Sequence, residues 1–68
     1  MAFSVNVNGT SKMVPKDTSI SKLLEQLEIA GGKVAVERNL EIVPKSLYAK
    51  TMLTDGDRVE IVHFIGGG

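Results

Sequence analysis

The chain has 68 residues, and its 8 basic and 8 acidic side chains give a net charge of zero. This length predicts one domain, near the lower size limit for folding without disulfides or metals, and no basic block is present to bind nucleic-acid phosphates. With no cysteine and a single histidine, disulfides, thiolate metal sites, thiol nucleophiles and histidine-rich metal clusters are excluded, so we expect no bound metal or cofactor.

The first predicted element is a β-hairpin. Apolar residues alternate with small or polar ones over 3–7, which is typical of a half-buried strand. Asn8 and Gly9 follow directly, and this pair favours a type I′ turn because both central residues need a positive φ. The return strand is predicted over 10–14 and ends at Pro15, which has no N–H to donate to a sheet.

A helix is predicted next. Its apolar residues recur at i, i+3, i+4 and i+7 and form one stripe: Ile20, Leu23, Leu24 and Leu27. Hydroxyl and carboxylate oxygens over 17–19 provide the N-cap, and Gly31 with Gly32 predicts the C-terminal cap. We expect the stripe to cover the chain's own sheet, and Ile29 to pack beside it.

Two short strands are predicted after the helix, over 34–37 and 41–43. A turn over 38–40 joins them, and Pro44 closes the second strand. One helical turn is predicted over 46–49. These elements are short, which is typical of a small mixed sheet.

The chain closes with a turn, a strand and three glycines. Asp55, Gly56 and Asp57 predict a turn whose carboxylates are solvated and do not form an acid–base pair. The β-branched run over 59–65 predicts a strand, with His63 as a structural residue. Because glycine has wide backbone freedom and no side chain to pack, 66–68 is predicted to be a flexible tail extending about 10 Å beyond a domain over 1–65.

The element order β-β-α-β-β-β predicts an α+β fold. One main helix packed on one face of a mixed sheet of four to five strands would bury its apolar stripe. The β-grasp (ubiquitin-like) arrangement has this order, with the last strand at the centre and parallel to the first. We therefore expect the tail to leave from the middle of the sheet.

Alternation along the last strand also predicts an exposed surface. With a period of two, Val59 and Ile61 share one face, whereas Glu60, Val62 and Phe64 share the other. Glu60 is not a core residue by type, so the second face lies in solvent. We expect Glu60, Val62 and Phe64 to bind a partner beside the tail; a β-bulge or a covering loop is the alternative.

Four segments carry a family resemblance: VAVERN at 34–39, EIVP at 41–44, DGDRVEIV at 55–62 and FIGGG at 64–68. Together they resemble the ThiS family of thiamine-biosynthetic sulfur carriers, and the resemblance covers essentially the whole chain. Tyr48 stands where a number of relatives carry tryptophan. The tail matches the family pattern without a departure.

The resemblance implies a protein co-substrate and not an enzyme. A ThiF-type enzyme that uses ATP and Mg would adenylate the carboxylate of Gly68, and Gly67 would give access to it. The adenylate would be converted to a thiocarboxylate with sulfur that comes from cysteine through a desulfurase. Thiazole synthase, ThiG, would then use that sulfur to build the thiazole ring of thiamine.

Three alternatives remain open from the residues alone. They are a sulfur carrier of the type found as the small subunit of molybdopterin synthase, a ubiquitin-like protein modifier, and a plain interaction module with an inert tail. We expect a monomer in isolation with no membrane partner, since the apolar runs are far shorter than a bilayer span. No signal-peptide pattern opens the chain, and with the lack of cysteine this favours the cytoplasm.

Overall fold

The part of the chain that the structure describes forms five strands and one α-helix in the predicted order. The computed structural model describes residues 1–29 and 33–63. The strands are β1 (Ala2–Val7), β2 (Thr10–Pro15), β3 (Val34–Arg38), β4 (Glu41–Val43) and β5 (Arg58–His63); the helix is α1 (Ile20–Gln26), and a short 3₁₀ helix spans Lys45–Leu47. The glycine pair at 31–32, the predicted end of the last strand and the tail at 66–68 lie outside the described residues.

All five strands belong to one mixed sheet, in the order β2-β1-β5-β3-β4. β5 is the central strand, parallel to β1 and antiparallel to β3. The predicted α+β fold of the β-grasp type is therefore confirmed, including the central position of the last strand. A parallel neighbour on one side and an antiparallel one on the other surround the strand that leads to the C-terminus.

The hairpin forms at the predicted residues. Asn8 and Gly9 have φ angles of 50° and 88°, the two positive values that a type I′ turn needs. β1 and β2 then pair in register from Val7 opposite Thr10 to Ala2 opposite Pro15.

The helix begins as predicted but ends earlier. Ser19 is the N-cap, and its hydroxyl accepts a hydrogen bond from the Lys22 N–H at 3.1 Å. The predicted end of the helix at the glycine pair is wrong, because Glu28 already adopts the left-handed conformation with a φ of 59°. The Glu28 N–H donates to the Glu25 carbonyl and the Ile29 N–H to the Leu24 carbonyl, the two bonds of a Schellman motif.

The core lies between the helix and the inner face of the sheet. The side chains with the least exposure come from both layers: Val5, Val14, Ile20, Leu23, Val36 and Val59. Leu27 and Ile29 pack against this cluster from its margin. The predicted apolar stripe of α1 therefore covers the chain's own sheet, and the helix holds β5 from one side.

The turn between β3 and β4 carries an unfavourable residue. Asn39 and Leu40 have φ angles of 52° and 71°, and a leucine at a positive φ costs about 1–2 kcal/mol. Its side chain is 75% exposed, so little packing offsets that cost. Leu40→Gly is expected to raise the free energy of unfolding by about 1 kcal/mol, measured by urea denaturation. An unchanged or lower value would contradict a strained turn.

Candidate functional site

The described part of the chain ends on the strand that leads to the C-terminal glycines. On one side of β5, Val34 of β3 pairs with His63, and Ala35 pairs with Val62. The central strand is thus held by its antiparallel neighbour as far as its last described residue. The predicted site residues Phe64, Gly67 and Gly68 lie beyond it, outside the described residues.

The two faces of β5 differ as the alternation predicts. Val59 is fully buried and Ile61 is 7% exposed, and both face the core. Arg58, Glu60 and Val62 are exposed on the opposite face, where the Val62 side chain keeps 57% of its surface accessible. His63 is also exposed. An apolar side chain therefore stands in solvent immediately before the segment that carries the tail.

Strand pairing brings further residues to this exposed face. Glu37 of β3 lies directly opposite Glu60, and Ile42 of β4 lies opposite Glu37 on the other side. Ile42 is 70% exposed. Sequence reasoning missed Glu37 and Ile42, since the pairing register that aligns them with Glu60 is not encoded in any local pattern. We call Glu37, Ile42, Glu60 and Val62 the outer-face patch.

The patch combines apolar surface with two carboxylates. Directly opposed like charges in an antiparallel pair destabilise a sheet. Among residues 1–29 and 33–63, the ion pair closer than 4 Å is formed by Arg38 and Asp57. Within those residues, Glu37 and Glu60 therefore have no cationic group at that distance. The arrangement suits a partner that presents a basic group beside an apolar one.

The turn before β5 differs from its prediction. The 55–57 turn forms, with Gly56 at a φ of 84°, but the prediction that Asp57 is solvated is wrong. The residue is 4% exposed, and its Oδ2 accepts from Arg38 Nε and from the Thr54 N–H, both at 2.8 Å. Asp57 is therefore a buried anchor at the start of the central strand.

The other oxygen of this carboxylate is also satisfied. Asp57 Oδ1 accepts from Asn39 Nδ2 at 3.0 Å and from the Thr54 hydroxyl at 2.9 Å. Burial, the largest single influence, raises the pKa of Asp57, but the hydrogen bonds from Arg38, Thr54 and Asn39 together outweigh it and hold the pKa below its usual value of 3.8. An ionised, fully bonded carboxylate is a structural group and not a proton donor for catalysis.

A groove lies away from the outer-face patch. It has a volume of about 490 Å³ and lies beside the beginning of β1, lined by Met1, Phe3, Lys16, Met52 and Asp55 among others. In the described part of the chain, histidine and acidic side chains form no group of three that would hold a metal ion. None of the helices formed by those residues is long and apolar enough to cross a membrane.

Known proteins similar to this chain agree on one family. The model of the ThiS family matches residues 4–68. The sulfur carrier protein ThiS of Bacillus subtilis is 43% identical over 65 residues, which are 94% of this chain and 98% of that protein. A crystal structure of a thiamine biosynthesis protein, ThiS, from Geobacter metallireducens superposes with a TM-score of 0.82 at 33% identity, covering 97% of this chain and all of that one.

Longer proteins contain a similar segment. A thiazole synthase from Paramagnetospirillum magneticum is 52% identical over 62 residues, which are 91% of this chain but 19% of that enzyme. The chain thus spans about a fifth of the length of the thiazole synthases that it matches. Because the family model covers nearly every residue and the Bacillus relative is matched over almost its full length, the chain belongs to the ThiS family.

Proposed function

We propose that this chain carries sulfur in thiamine biosynthesis, as a thiocarboxylate on Gly68. The observation that carries the proposal is the match to the ThiS family, which extends through the final glycine. The sheet supports it, because the central strand that leads to the tail is paired on both sides. The chain is a protein co-substrate in this proposal and performs no catalysis itself.

The chemistry requires an activating enzyme. A carboxylate is a poor electrophile, so a ThiF-type enzyme first joins the Gly68 carboxylate to AMP from ATP, with Mg in the enzyme's site and pyrophosphate as the leaving group. A cysteine desulfurase forms a persulfide from cysteine, and a thiol such as excess cysteine reduces that persulfide to hydrosulfide and is itself oxidised to a disulfide. The hydrosulfide attacks the Gly68 carbonyl carbon, AMP leaves, and the thiocarboxylate remains. Gly67 has no side chain to obstruct the approach to the Gly68 carbonyl carbon.

We propose thiazole synthase as the acceptor of the sulfur. Two enzymes of that name contain a segment that is 52% and 41% identical to this chain. Joining a carrier to its acceptor in one polypeptide raises their effective concentration, which is the physical reason to expect such a pair to work together. The same logic favours thiamine over a molybdopterin-type acceptor.

Mass spectrometry tests the carrier role directly. The chain is incubated with the ThiF-type enzyme of the same genome, ATP, Mg, a cysteine desulfurase and cysteine. The expected product is heavier by the difference between one sulfur and one oxygen, and fragmentation places the change on Gly68. Sulfur on another residue would overturn the proposal, and isopeptide-linked ladders in a lysate would identify a protein modifier instead.

The outer-face patch, together with the sequence-predicted contact residue Phe64, is proposed to dock the activating enzyme. Val62→Ala and Glu60→Lys are each expected to weaken binding about tenfold, as loss of a well-placed interface residue does. Glu60→Lys places a positive charge opposite Glu37 and so replaces a repulsion between like charges by an attraction. The free energy of unfolding of the free protein should therefore rise by about 0.5 kcal/mol. Isothermal titration calorimetry and urea denaturation measure the two effects.

Met13→Ala is the matched control for this prediction. Met13 lies on the same face as Ser4 in the β1–β2 pair, is 64% exposed, and belongs to the edge strand β2. Its truncation removes exposed apolar surface far from β5, so the affinity should stay within about twofold of wild type. If Val62→Ala and Glu60→Lys bound the activating enzyme as tightly as Met13→Ala and wild type do, the docking surface would lie elsewhere.

A further inference from the structure

The backbone ladder between β1 and β5 stops before β5 does. The Asn6 N–H donates to the Asp57 carbonyl at 2.8 Å, and the Asn8 N–H donates to the Val59 carbonyl at 2.9 Å. At Asn8 and Gly9 the chain turns away into β2. The next backbone groups of β5 that point toward β1 within the sheet are the N–H and the carbonyl of Ile61. They therefore face a position that β1 no longer occupies.

The Asn8 side chain fills that position. Its Oδ1 accepts from the Ile61 N–H at 2.7 Å, and its Nδ2 donates to the Ile61 carbonyl at 3.1 Å. A carboxamide has the same donor and acceptor as a peptide group, so this side chain reproduces the next step of a parallel ladder. Both polar groups of Ile61 are thereby satisfied two residues beyond the last backbone bond from β1.

This contact decides where β5 is last held on its β1 side. β3 holds the other side of the strand as far as His63. Without the Asn8 carboxamide, the last attachment on the β1 side would be Val59. The carboxamide thus moves that attachment two residues closer to Gly68.

We infer that Asn8 is a positioning residue for the activation of Gly68. It pins Ile61 and so fixes the path along which the C-terminal segment enters the activating enzyme. The inference rests on the proposed carrier function. Loss of the carboxamide lowers the fraction of molecules whose strand end is in place, which raises KM and leaves kcat unchanged, because the competent form reacts as before.

The fold provides a matched control at the other end of β5. Asn39 also has a positive φ in a type I′ turn, and its Oδ1 accepts from the Arg58 N–H at 2.9 Å. Asn39 therefore binds the same strand through the same chemical group, but at its beginning. Glycine is tolerated at both turn positions, so Asn8→Gly and Asn39→Gly remove the two carboxamides without straining either turn.

The experiment compares these variants in two measurements. Pyrophosphate release by the ThiF-type enzyme of the same genome is followed with ATP while the carrier concentration varies. Amide hydrogen exchange of Ile61 is measured in the free protein relative to that of Val59. Asn8→Gly is expected to raise KM about tenfold with kcat retained, and to speed the relative exchange of Ile61 by a similar factor.

A second variant keeps the side-chain volume. Asn8→Asp retains the turn and the acceptor for the Ile61 N–H, but it places a carboxylate oxygen against the Ile61 carbonyl, and it should also raise KM. Asn39→Gly should leave KM within about twofold of wild type even if the domain is less stable. An unchanged KM in both Asn8 variants, or an equal rise in Asn39→Gly, would overturn the inference.

The two proposals fail in distinguishable ways. If the enzyme releases no pyrophosphate from ATP in the presence of the wild-type chain, the proposed function is refuted. That result leaves the pinning of Ile61 by Asn8 to be decided separately. The relative exchange of Ile61 still decides that point: unchanged exchange in Asn8→Gly would refute it, and faster exchange would support it.

Discussion

Deleting Gly67 and Gly68 is expected to abolish sulfur loading without changing the fold. The truncated chain still ends in a glycine carboxylate, that of Gly66, so the reacting group is chemically the same. It ends about 7 Å earlier, however. A misplacement of about 1 Å in an active site can cost a factor of about 100 in rate, so the truncated chain should form less than about 1% of the wild-type thiocarboxylate under equal conditions.

Mass spectrometry of the loading reaction and urea denaturation of the free protein measure these two effects. The free energy of unfolding should stay within about 0.5 kcal/mol of wild type, because β5 keeps its buried Val59 and Ile61. Gly66→Ala is the control, since it changes the tail but keeps its length and its terminal group, and it should still be loaded. Normal loading of the truncated chain would show that the distance between the terminal carboxylate and the domain does not matter for the reaction.

Much of the fold could be predicted from local patterns. A type I′ turn needs two residues that accept a positive φ, and Asn8-Gly9 meets that need within two positions. The apolar stripe of α1 repeats every three to four residues, so it too is visible within a short window. Buried and exposed faces of β5 follow from a period of two. In each case the physical cause acts between residues that are close in sequence.

The features that were missed depend on distant residues. Asn8 and Ile61 are 53 positions apart, and nothing near either residue indicates that they bond. Glu37 reaches the neighbourhood of Glu60 only through the register of β3 with β5. Glu28 was missed for a different reason: the Schellman bonds impose a positive φ on a residue that does not favour it.

The site divides along the same line. Gly67 and Gly68 are predicted from the sequence, because the proposed reaction at the terminal carboxylate needs no fold to identify its residues. The structure adds what surrounds the strand that leads there: a partner strand on one side, a side-chain amide on the other, and an apolar and acidic surface beside it. The residues of the proposed reaction are thus visible in the local sequence, whereas the surroundings of the strand before them depend on contacts across the sheet.

Asp57→Asn is expected to lower the free energy of unfolding at pH 7 by about 3 kcal/mol. The carboxylate accepts four hydrogen bonds, from Arg38, Asn39 and twice from Thr54. An amide in its place turns one acceptor into a donor that faces other donors, and it leaves the Arg38 charge without its partner. Breaking a fully buried pair costs about 3–5 kcal/mol, and the expected loss lies at the lower end of that range because the Arg38 side chain is 30% exposed. A domain of this size has only about 3–10 kcal/mol in total.

The same substitution should change the acid sensitivity of the fold. Because the pKa of Asp57 is lower in the folded protein than its usual 3.8, the folded state binds this proton less readily than the unfolded state does. The carboxylate therefore stabilises the fold fully above pH 3.8, and that contribution is lost as the pH falls below 3.8 through the folded pKa. Urea denaturation at several pH values should show a shallower loss of stability on acidification in Asp57→Asn than in wild type.

Asp55→Asn is the control for both measurements, because Asp55 lies in the same turn but is exposed. It should change the free energy of unfolding by less than about 0.5 kcal/mol. Equal effects of the two substitutions would contradict the role of Asp57 as the buried anchor of the central strand.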